Sequence, residues 1–60
     1  MKKIIHIVVH HGLINTVFAE NVDVDDVVIY DLDTDDNEEY DASLTAIANL
    51  FKSNNVEKVY

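Results

Sequence analysis

Lys3-Ile4-Ile5-His6-Ile7-Val8-Val9-His10-His11-Gly12-Leu13-Ile14-Asn15-Thr16-Val17-Phe18-Ala19 is the stretch that decides the fold. Residues 3 to 10 are rich in β-branched side chains and too short for a good helix, so they read as a strand. His11-Gly12 follows, and an X-Gly pair between two apolar runs signals a hairpin, with Gly supplying the positive φ of a primed turn. Leu13 to Ala19 is then the second strand. A two-residue turn sets Val9 opposite Ile14, Ile7 opposite Thr16 and Ile5 opposite Phe18, a nearly apolar face expected to carry a helix. The other face holds Ile4, His6, Val8, His10, Leu13, Asn15, Val17 and Ala19. It is more apolar than a solvated face should be, which predicts a homodimer with His6, Val8, His10, Asn15 and Val17 in its interface.

Outward from the hairpin, Glu20 to Asp26 is a polar connection and Val27 to Leu32 a third strand. Thr34 to Glu39 shows no hydrophobic period and is expected as an acidic loop. A helix is predicted over Ala42 to Ser53, with Asp41 or Ser43 as N-cap. Leu44, Ile47, Ala48 and Phe51 recur at the spacing of a buried helical stripe. Lys52 suits the C-terminal end of the helix dipole, and Asn54-Asn55 is a stop signal. Val56 to Tyr60 has the composition of a short edge strand. The expected fold class is α+β, one small domain over residues 1–60 with an antiparallel sheet of three strands, or four with that edge strand, and one helix packed on one face.

A chain of 60 residues without Cys has neither disulfides nor zinc-binding Cys/His clusters to add to a thin core. Oligomerisation is the remaining common means of stabilising so short a chain. No apolar run approaches the roughly 20 residues that span a bilayer, and His6, His10 and His11 interrupt the only candidate leader segment, so a cytoplasmic location away from membranes is expected. The net charge of −8 disfavours direct nucleic-acid binding. That charge is concentrated: eleven of the twelve carboxylates fall between Glu20 and Asp41, while the four Lys lie near the two ends.

Three features invite a chemical reading. His6 and His10 share a strand face but lie about 13 Å apart, too far to grip one ion, and His11 in the turn is expected to face water, so no metal site is expected. Asp31-Leu-Asp33-Thr-Asp35-Asp36 opens like a calcium loop, yet Asp36 stands where Gly is needed and Ala42 where a bidentate Glu is needed. Ser43 and Ser53 have no evident base beside them, and carboxylates in an open loop lack the burial that tunes an acid or base. No catalytic residue and no cofactor is expected; the chain reads as a non-enzyme.

The Gly-containing turn, the Val17-Phe18-Ala19 step and the strand ending Tyr30-Asp31-Leu32-Asp33 are similar to those of small uncharacterised proteins of bacteriophages and other mobile elements. The resemblance spans roughly residues 4 to 33, and His11-Gly12 stands where two Gly are common. It implies a phage or mobile-element setting, in which small acidic inhibitors of host defence proteins are common, and it carries over no catalytic residue. A segment with carboxylates every two or three residues also matches, in charge alone, a stretch of phosphate backbone. The expected function is therefore a non-enzymatic inhibitor of a host defence protein, such as a CRISPR or restriction component, with Asp31, Asp33, Asp35, Asp36, Glu38 and Glu39 as contact residues. A self-assembling module whose acidity serves only solubility, and a weak divalent-cation binder using the same loop, remain as alternatives.

Overall fold

The computed structural model describes residues 2–60. Four strands and one helix follow one another along the chain: β1 (Lys2–His10), β2 (Leu13–Val22), β3 (Asp26–Asp31), α1 (Asn37–Lys52) and β4 (Val56–Lys58). The protein is α+β, a four-stranded sheet in the order β3-β1-β2-β4 with one helix. The expected hairpin forms, with His11 at φ 55° and Gly12 at φ 72°, the double left-handed geometry of a type I′ turn. The expected edge strand forms as well. Its ladder to β2 runs from Glu20–Val56 to Phe18–Lys58, and Val59 extends it by donating to the Val17 carbonyl at 2.8 Å.

The sheet is mixed rather than antiparallel throughout. β1 and β3 run parallel, with Ile4 beside Asp26 and Val9 beside Asp31. The connection from β2 crosses the end of β1 instead of turning back on β2, and the Asp25 carboxylate accepts from the Lys3 amide at 3.1 Å as the chain passes. β1 is the most continuously apolar strand, and this crossing gives it a neighbour on both edges. α1 then returns the chain beneath the sheet so that β4 lies on the far side of β2.

A single extra residue redistributes the two faces. Val9 pairs with Ile14 as expected, but Val8 pairs with Thr16, so Asn15 is a bulge with no partner on β1. Beyond it every pairing slips by one: Ile7 meets Val17, His6 meets Phe18 and Ile5 meets Ala19. Because side chains alternate with period two, Phe18 changes sides and joins His6 and Val8 rather than Ile5. This is the face that α1 covers. Its core is Val8, Phe18 and Leu50, with Tyr30, Leu32, Ile47 and Val56 packed against them.

Two expectations are thereby corrected. His6 and Val8 are not at a dimer interface, since they lie beneath the chain's own helix at 6% and 3% exposure. Of the other three residues expected there, His10 is half-buried at the hairpin end, Asn15 is the exposed bulge, and Val17 is on the opposite face beside Ile7. The face left open is the one expected to carry the helix. It comprises Ile5, Ile7, Val9 and Val17 with Val27 and Ile29, the last two 58% and 64% exposed.

The helix begins five residues earlier than its hydrophobic period suggests, so Asn37 to Glu39 are helical rather than loop. Its N-cap is Asp36, not Asp41 or Ser43. The Asp36 carboxylate accepts from the amides of Glu38 at 2.9 Å and Glu39 at 3.3 Å, two of the first-turn donors that have no partner within the helix. Glu38 and Glu39 also complement the positive end of the helix dipole. The buried stripe is rotated by one position, to Ser43, Ile47 and Leu50, leaving Leu44 at the margin. Phe51 is 65% exposed yet meets Phe18 edge-on, with ring centroids 5.1 Å apart.

Candidate functional site

The end of the molecule where β1 and β3 both finish collects most of the candidate residues. Because these strands are parallel, the turn after β1 and the connection after β3 emerge side by side. Asp33 joins them. Its two carboxylate oxygens accept from the His11 amide at 2.7 Å and the Gly12 amide at 2.8 Å. The Gly12 and His11 N–H groups hold the Asp33 carboxyl below the usual carboxylate range, since they bond the charged form.

All six acidic residues expected as contacts are exposed, but they are not equivalent. Asp31 accepts from the Asp33 amide at 2.9 Å, Asp33 clamps the hairpin turn and Asp36 caps α1. Glu39 accepts from the Thr34 hydroxyl at 3.3 Å, and that hydroxyl accepts from the Asp36 amide at 3.2 Å. These local bonds engage four of the six carboxylates, Asp31, Asp33, Asp36 and Glu39, in what the sequence suggests is a loose acidic loop. The signal for them is present as Asp36-x-x-Glu39 at the head of a helix.

The same end gathers His10, His11 and Asp33. One ligand atom from each of the three lies within 4.8 Å of the others, and the two imidazole centroids are 3.8 Å apart. His10 is half-buried, while His11 and Asp33 are exposed. Strand spacing separates His6 from His10, and a hairpin turn is expected to leave His11 in water. The group is not visible in strand spacing for a geometric reason: neighbours on an extended strand point to opposite faces, but the left-handed backbone at His11 swings its ring beside that of His10. Asp33 lies just past β3, and the parallel placement of that strand is not a local property of the sequence.

His6 forms a second polar constellation beneath α1. Its Nε2 lies 2.8 Å from Glu20 Oε1 and its Nδ1 lies 2.8 Å from the Tyr30 hydroxyl. A carboxylate only accepts, so a neutral imidazole carries its proton on Nε2 and takes the Tyr30 O–H on Nδ1. Burial, and secondarily the Glu20 carboxylate, push the Tyr30 hydroxyl above its usual pKa, so it stays protonated and keeps donating. That direction opposes use of Tyr30 as a base or nucleophile, and the group works as a satisfied core network. A third feature, an open depression of about 610 Å³ lined by Lys3, Ile5, Asp25, Asp26 and Val27, lies at the far end of β1 and β3 from the acidic array.

Comparison with known protein families, curated proteins and solved structures finds no match to this chain. No helix among the described residues is long and apolar enough to cross a membrane.

Proposed function

We propose that this chain is a non-enzymatic acidic binding protein that docks on a basic surface of a partner protein through the β3–α1 junction, and that it works as a homodimer. The observation that carries the first part is the acidic array: Asp31, Asp33, Asp35, Asp36, Glu38 and Glu39 exposed together, four of them tied to the local backbone or to Thr34. Carboxylates already held by local bonds lose less conformational freedom on binding, and the field of the whole array speeds encounter with a cationic surface. Proteins that handle nucleic acids present such surfaces. With the phage-like sequence features, a host defence protein of that kind is the partner to test first.

The homodimer rests on the open aliphatic face. Val27 and Ile29 on that face are 58% and 64% exposed, and seating it on a second copy would remove this aliphatic surface from water. Two such faces pack as aligned sheets about 10 Å apart. Sedimentation at tens of micromolar should show a dimer, and Ile29→Asp should give a monomer; a monomeric native chain would remove this part.

The partner is tested by affinity capture from host lysate with the native chain and with Asp35→Asn/Glu38→Gln, which spares the Asp33 clamp and the Asp36 cap. The expected result is a nucleic-acid-binding protein that duplex DNA displaces and that 1 M salt releases, since the Debye length is then only about 3 Å. Recovery of the same protein in equal amount by the neutralised variant would defeat the charge argument. Recovery of the chain alone would favour the self-assembling module.

A further inference from the structure

We propose that His10, His11 and Asp33 form a binding site for a divalent transition-metal ion of the Zn²⁺ type at the tip of the β1–β2 hairpin. The donor set is the first argument. Two imidazoles and one carboxylate suit Zn²⁺ and its neighbours, whereas Ca²⁺ and Mg²⁺ take oxygen ligands almost exclusively. The site therefore differs in kind from cation binding by the acidic array.

Preorganisation is the second argument. The Asp33 carboxylate is already fixed by the His11 and Gly12 amides at 2.7 and 2.8 Å, and each of its oxygens keeps a further lone pair. Donors in this outer role orient a ligand and keep it in the form that binds metal. The His10 and His11 rings stand side by side at 3.8 Å, tilted by 36°. Ligand atoms now within 4.8 Å must close to about 3.4 Å, the edge of a tetrahedron with bonds of about 2.1 Å. His11 is exposed and His10 only half-buried, so their rings are the groups that would turn to close that distance. Three protein ligands leave the fourth position open to water, as an exposed site at a hairpin tip permits.

The third argument is the place of the site in the fold. The ion would bridge the β1–β2 turn to the β3–α1 connection, two segments joined here by the Asp33 clamp. Metal binding would therefore stabilise the native chain: free Zn²⁺ at about a hundredfold over Kd should raise Tm by roughly 10 °C or more.

The chain contains three histidines, and His6 is held between Glu20 and Tyr30 beneath the helix, which gives the test an internal control. Untagged protein is titrated with Zn²⁺ and, separately, with Ca²⁺, and the imidazole resonances are followed by NMR. One equivalent of Zn²⁺ should move or broaden the His10 and His11 ring signals while those of His6 stay in place, and Ca²⁺ should move neither. Calorimetry should give one site per chain. His10→Gln should weaken it at least tenfold, and so should His11→Asn, chosen because Asn tolerates the left-handed backbone there. Asp35→Asn/Glu38→Gln should leave Kd within about twofold, since exposed charges removed from the ligand set act only through a screened field. No saturable binding at millimolar Zn²⁺, equal binding by the His10→Gln variant, or an equal response to Ca²⁺ would overturn the site. The NMR readout needs no variant, so a substitution that fails to fold leaves the proposal open to refutation.

Discussion

Tyr30→Phe removes one oxygen and should destabilise the protein far more than that deletion suggests. The lost hydroxyl partners His6 Nδ1 at 2.8 Å, and His6 is only 6% exposed beneath α1. Without it, the ring nitrogen is left in the core with no partner, a desolvation cost of about 1–3 kcal/mol. A core of this size rarely contributes more than about 3–5 kcal/mol in total, so the loss is a large fraction of the whole. For a 60-residue domain each kcal/mol is worth about 4–8 °C in Tm, which places the expected drop at roughly 5–20 °C. Urea unfolding followed by far-UV circular dichroism, at one fixed protein concentration, measures it. The discriminating step is a double-mutant cycle. In a His6→Leu background the imidazole is gone, and Tyr30→Phe should then cost less than about 0.5 kcal/mol, because both partners have been replaced by apolar groups. A cost that is the same in both backgrounds would show that the hydroxyl acts elsewhere, and the satisfied-histidine reading would fall.

Other outcomes follow from the same geometry. Asp36→Ala should cost about 0.5–2 kcal/mol and reduce helix content by circular dichroism, while Asp35→Ala should leave both nearly unchanged. Phe18→Ala removes the one large side chain that is fully buried among the described residues, and a loss of about 3–5 kcal/mol should leave the chain unfolded at room temperature. Asp33 has a depressed carboxyl pKa, so the stability it contributes is complete above its unfolded value of about 3.9 and disappears as pH falls through the lower folded value; Asp33→Asn should flatten that limb of the acid titration. Tyr30 has a raised pKa, so its contribution is complete below about 10 and is lost as pH rises through the higher folded value. Absorbance at alkaline pH should show one of the three Tyr ionising last, and that late step should be absent in Tyr30→Phe.

The elements that could be read from the sequence are those whose signals are local. β-Branched runs, the single Gly and the apolar period of α1 fix two strands, a turn and a helix without reference to the rest of the chain. The pairing of β1 with β3 depends instead on which edge of a central strand is vacant, and no residue of Val27 to Leu32 encodes that. Asn15 shows how much one position can redirect. A bulge there costs the ladder one residue, yet it exchanges the faces of β2 and brings Phe18 under the helix with His6. The helix start carries no apolar period because its first turn is electrostatic: Asp36, Glu38 and Glu39 stabilise it by capping and by charge. The acidic residues are exposed, as their composition implies, but their hydrogen bonds to the backbone depend on where β3 ends relative to the hairpin.

One helix cannot cover two faces of a sheet, and here the uncovered face is aliphatic. α1 has 16 residues, about 24 Å at 1.5 Å per residue, and it lies wholly on the side of Val8 and Phe18. If the opposite face joins two copies, folding and association are one linked equilibrium, and the apparent Tm rises with protein concentration. The net charge of −8 on each chain then opposes association, so salt should strengthen the dimer by screening that repulsion. Salt acts in the opposite sense on the acidic array, where it screens attraction to a basic partner. The two proposed interactions therefore separate on a single axis. A titration in which rising salt tightens the homodimer while releasing the partner requires both surfaces as assigned. If salt loosens both, the aliphatic face is not what holds the copies together.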